Sequence, residues 1–142
     1  MTFDKIKTDT DCDCITSASN VDIENFYVRK LNKSTLEERD FLTHWERNKR
    51  PLIEDCENIC SYKSVSINQF SVDTETQILE KFKTTFNINP KKGAYYLKFQ
   101  FSTDAGKIKF TPQENDSSHY DFYKADDFNL TKIQILETVK FV

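Results

Sequence analysis

Two histidines, four cysteines and one run of mixed aromatic and acidic residues hold most of the chemistry this chain can offer. His44 stands in THWERNKR and His119 in SSHYDFYK. Imidazoles brought together from distant segments can divide acid and base work in metal-independent phosphodiester cleavage, one taking a proton while the other gives one. Lys124 or Arg47 would then face the charge that builds on phosphorus. His119 with Asp116 or Asp121 would instead suit a metal held from a loop. A histidine among aromatics is more often a structural group whose hydrogen bonds are satisfied, so both readings rank as alternatives. Ser117-Ser118-His119 sets serine next to histidine without a G-x-S-x-G elbow, which builds no triad.

The cysteines form Cys12-x-Cys14 and, forty-one residues on, Cys56-x-x-x-Cys60. The first residues, MTFDKIKTDTDCDC, contain no apolar run, and the chain reads as cytoplasmic. Disulfides are not expected in that reducing setting. Four thiols can assemble a zinc staple, although neither pair shows the usual two-residue spacing. Cys56 and Cys60 also fall with Leu52, Ile53 and Ile59 on one stripe of helical period, where a thiol is simply a small hydrophobe. A zinc-stapled interaction module is the third reading.

Pro112–Asn129, PQENDSSHYDFYKADDFN, is the segment of greatest interest. It reads as a connection longer than compact domains usually carry, ordered by its own rings. Tyr120, Tyr123 and Phe128 would anchor a partner, and Asp121, Asp126 and Asp127 would meet basic groups on it.

The elements that must position these residues are read from periodicity. Residues 1–22 form an acidic, loosely held arm and 23–142 a single domain. Helices are predicted over 35–48, opened by a Ser34–Glu37 capping box, over 51–61 after Pro51, and over 74–86. Strands are predicted over 25–31, 64–70 and 130–142, with a β-hairpin over 94–111 turning at Gly106. The class is α+β: about three helices in the N-terminal half, packed on an antiparallel sheet formed mainly by the C-terminal half.

Composition limits the functions available. The 142 residues are 37% hydrophobic and 30% charged with a net charge of −3, too mild for a nucleic-acid coat. No stretch approaches 18 consecutive apolar residues, so no membrane span is expected. Gly93 and Gly106 are the only glycines, which excludes glycine-rich phosphate loops. Residues 81–102 interleave lysines with aromatics as single-strand binders do, but alternate strand residues must face a core and no arginine lies there. Nucleic acid is disfavoured on that ground. Residues 1–25 hold six acids against Lys5 and Lys7, whereas 81–98 hold five lysines and no acid. Such unevenness suits a surface that steers a partner. The leading expectation is a small bacterial accessory or immunity-like module that binds another protein through a basic surface of that partner. It would have no cofactor and no catalysis of its own.

Overall fold

The computed structural model describes all 142 residues. The chain forms seven strands: β1 (Ser19–Asn20), β2 (Phe26–Leu31), β3 (Val65–Phe70), β4 (Tyr95–Phe101), β5 (Gly106–Phe110), β6 (His119–Lys124) and β7 (Ile133–Lys140). They make one antiparallel sheet in the order β1-β5-β6-β3-β2-β4-β7. Two helices, α1 (Cys56–Tyr62) and α2 (Glu75–Thr85), complete the fold. The expected three helices on a C-terminal sheet are thus replaced by a mostly β protein, with β2 and β3 of the N-terminal half inside the sheet.

The sheet is strongly curled. Phe101 of β4 and Phe122 of β6 have ring centroids 4.6 Å apart, although β3 and β2 lie between their strands. A flat sheet would hold those strands about 14 Å apart, three spacings of about 4.8 Å. The concave face therefore closes on itself, and Tyr27, Leu31, Val65, Ile67, Leu97, Phe99, Phe101, Ile108, Phe122 and Ile133 fill it. The other face is covered twice. Ile78 and Phe82 of α2 pack on Val28 and Tyr96. The N-terminal arm and Ile59 of α1 pack on Tyr123.

Three expectations about elements need correction. The 35–48 helix is a short 3-10 turn at Glu38–Phe41 followed by irregular chain, because its apolar residues serve different cores: Phe41 enters the main cluster and Trp45 the arm cluster. A single stripe on a single helix cannot do both. The second helix starts at Cys56 instead of Pro51, since Asp55 caps it by accepting from the Asn58 amide at 2.8 Å. Of its supposed apolar stripe only Ile59 is buried; Leu52 and Ile53 are exposed. The 94–111 segment supplies two strands that are not partners, for β4 pairs with β2 and β7 while β5 pairs with β1 and β6.

All four cysteines are paired, Cys12 with Cys56 and Cys14 with Cys60, against the expectation of free thiols. They tie the arm to α1. The arm has further anchors. Lys63, 4% exposed, donates its ammonium to the carbonyls of Ile6 and Thr8 and to Thr10 Oγ1 at 2.7–2.9 Å. Asp126 accepts from Thr2 Oγ1 and from the amides of Asp4 and Lys5.

Candidate functional site

The 112–129 segment is not a long connection, because its centre is β6, an inner strand of the sheet. Strand alternation sends Phe122 into the main core and His119, Asp121 and Tyr123 to the opposite face, where Tyr123 lies beneath the arm and α1. Tyr123 is 1% exposed and Asp121 5%. Tyr120 and Phe128 are half-buried: Tyr120 meets Tyr27 and Phe110, and Phe128 packs between Phe41 and Phe122. Asp126 is consumed by the arm. Of the six residues expected at an interface only Asp127 is freely exposed, 3.7 Å from Lys132. The signal read as a surface lobe was that of a buried strand with polar residues on its second face.

His119 is 3% exposed, with Nδ1 3.1 Å from the Thr111 carbonyl oxygen and 2.8 Å from its Oγ1. Burial, then the nearby Lys81, holds its pKa below the usual imidazole value. Asp116 binds Lys81 and accepts from Asn68 Nδ2 at 2.6 Å. His44 meets the Tyr62 ring at a tilt, centroids 5.1 Å apart, and lines a cleft that His119 does not reach. The two imidazoles do not open on a shared space, so the geometry does not assemble acid and base around one phosphodiester. Lys124, offered as a charge stabiliser, pairs with Glu46 at 2.6 Å.

That cleft, about 250 Å³, is the arrangement sequence reading missed. It lies where β2 and β3 pass between α2 and the turn after Phe41. Arg29, Lys30, Arg47, Lys49 and Lys81 line it, with Asp40 as the only acid. Asp40 Oδ2 is already turned to the Glu37 amide at 2.7 Å, and Lys81 to Asp116. Arg29 is fixed by donating Nε to the Asp40 carbonyl at 2.7 Å and Nη1 to the Ser66 carbonyl at 2.6 Å. Burial lowers its pKa to about 10, with Asp40 opposing and Arg47 adding to the fall. His44 records the same field: partial desolvation, then Lys49, Arg29 and Arg47, push its pKa below the usual value. Lys30 lies over the exposed ring of Phe86, 4.8 Å from its centroid.

No family model, curated protein or solved structure matches the chain. The cleft's own chemistry must therefore carry the reading. Uncompensated cations converging on a bounded hollow are arranged to take an anionic group. The contributing residues come from four separate segments, which is why no local spacing in the sequence points to them. No helix is long and apolar enough to cross a membrane.

Proposed function

We propose that this protein is a binding module, without chemistry of its own, that captures an acidic segment of another protein in the cationic cleft. The carrying observation is five cations against one carboxylate, with that carboxylate and Lys81 already engaged elsewhere. The partner's contacting surface is accordingly acidic, not basic, because Asp121 and Asp126 are spent inside the protein. The confined hollow favours a few carboxylates over a nucleic-acid backbone, which needs a longer cationic track and stacking platforms. Two disulfides favour an oxidising compartment over the cytoplasm expected from the sequence.

Lys49 is the informative residue, since it is exposed and its ammonium makes no ion pair. A fluorescently labelled glutamate-rich peptide should bind the native protein, and Lys49→Glu should weaken it at least about tenfold, the weight of about 1.4 kcal/mol. The melting temperature should stay unchanged. Equal peptide affinity in both proteins, or binding of a labelled oligonucleotide but not the peptide, would refute this function.

A further inference from the structure

The cationic cleft opens where two neighbouring strands part. β2 and β3 pair only from Phe26 with Phe70 to Val28 with Asn68. Beyond that point β2 continues to Leu31 beside β4, while β3 reaches back to Val65 beside β6. The Gln69 amide donates to the Ser118 carbonyl, so by alternation Gln69, Ile67 and Val65 bond towards β6, whereas Asn68 and Ser66 face β2. The Ser66 carbonyl accepts from Arg29 Nη1 across the opening, and its amide points the same way with no paired strand beside it. Arg29 is held through Nε and Nη1, which leaves Nη2 without a protein partner. The one sealed-off polar side-chain atom lacking a partner is Asp121 Oδ1, so Arg29 Nη2 is reached from the cleft that Arg29 lines.

The walls are not all cationic. Val28, Leu42, Val65, Phe82 and Phe86 line the same hollow. Phe86 is 42% exposed, its ring edge-on to Phe82 at 6.0 Å and beneath the Lys30 ammonium. A bare carboxylate answers the cations but leaves these apolar walls wet, and an apolar side chain does the reverse. A ring that carries an oxyanion answers both.

We propose that the side chain seated in the cleft is a tyrosine esterified by sulfate or phosphate, its ring against Phe86 and its oxyanion on Arg29, Arg47 and the Ser66 amide. This rests on the reading above of the cleft as the partner's site and names the group that enters it. The ester presents several oxygens to planar guanidinium forks, which a single carboxylate cannot fill. Arg47 gives Nη2 to the Arg39 carbonyl and keeps Nε and Nη1 for the ligand. The bound ring would join the edge-to-face pair of Phe82 and Phe86, with Lys30 above it. At about 250 Å³ the hollow suits one side chain offered by a larger partner better than a free drug-sized ligand. A second cleft, about 580 Å³, lies between the arm, α1 and β5. Asp13, Glu57 and Asp121 line it, with Lys109 as its only cation, so its field turns an oxyanion away and towards the first.

The test uses the full disulfide-bonded chain and labelled peptides of one glutamate-rich background that differ at a single central position: tyrosine, O-sulfotyrosine, O-phosphotyrosine or phosphoserine. At least one of the two tyrosine esters should bind about tenfold tighter than the tyrosine peptide, and phosphoserine should gain less than about threefold. The tighter ester identifies the modification. Phe86→Ala should remove most of the gain without changing the affinity of the phosphoserine peptide. The comparison on the native protein stands whether or not that variant folds. Equal affinity for the tyrosine peptide and both esters overturns the inference; if Lys49→Glu still weakens all of them, capture of an acidic segment survives it. Phosphoserine as tight as the tyrosine esters also overturns it. Should a tyrosine ester bind while the unmodified peptide does not, the acidic-segment reading falls and the ester reading stands.

Discussion

Asp121 shows how one buried side chain sets the pH behaviour of the protein. Burial raises its pKa to about 6, against hydrogen bonds from Ser64 and Thr111 that lower it. The folded state then holds the proton more tightly than the unfolded chain. Its contribution is fully present below about pH 4 and is lost as pH rises through about 6, a change of about 3 kcal/mol. Asp121→Asn should accordingly raise stability at pH 8 by about 1–3 kcal/mol and flatten the dependence between pH 4 and 7, as read by urea midpoints. Lower stability of the variant at pH 8 would contradict this account. Burial likewise pushes the Lys63 pKa below the usual lysine value, but three arm oxygens accept from its ammonium. Lys63→Met should cost about 2–4 kcal/mol by leaving the carbonyls of Ile6 and Thr8 without their donor. His44 reports on the cleft: an acidic peptide should raise its pKa, seen as an NMR titration midpoint moved to higher pH, and should bind more tightly once His44 is protonated.

Elements were legible where one stripe served one core. The α2 stripe of Ile78 and Phe82 meets a single sheet face, and the β-branched and aromatic runs of β2, β3 and β7 were read in sequence although their burial alternates imperfectly. Residues 35–48 were misread because Phe41 and Trp45 share a helical spacing but not a destination. Residues 119–124 were misread because an inner strand with His119 and Asp121 on its second face resembles a polar surface loop. The cationic cleft was not legible at all, since Arg29, Lys49 and Lys81 become neighbours only through the sheet. The disulfides make a prediction of their own at this scale. Each closes a long loop, with sequence separations of 44 and 46, worth about 4 kcal/mol alone. The second closes only a short ring once the first is made, about 2 kcal/mol by the same relation. Replacing Cys14 and Cys60 by alanine should thus cost about 2 kcal/mol, whereas replacing all four should cost about 6 kcal/mol, by urea unfolding. Gly106 has a steric reason to be glycine: a Cβ there would lie 2.1 Å from the Tyr123 carbonyl oxygen. Gly106→Ala should destabilise by about 2–3 kcal/mol or more, read as a fall in melting temperature.

At the scale of the whole molecule, the two clefts have opposite charge. The one beside α2 gathers Arg29, Lys30, Arg47, Lys49 and Lys81; the one beneath the arm gathers Asp13, Glu57 and Asp121. The charge distribution along the chain suggested such unevenness, but the fold draws only Asp13 from the run at 1–25 and Lys81 from that at 81–98 and collects the other charges from elsewhere. Peptide capture should weaken steeply between 50 mM and 500 mM salt, because exposed charges are screened within about 10 Å at 0.1 M and less beyond it. A flat salt response would mean that apolar contact, and not charge, holds the peptide. The order of the strands bears on time as well as on shape. Only β5 and β6 are joined as sheet neighbours by a short connection; β2 must wait for β3, and β4 for β7, across more than thirty residues each. Loop closure of that length is a slow search, so refolding from urea with the disulfides intact belongs in the millisecond-to-second range of β-rich domains, not the microseconds of helical bundles.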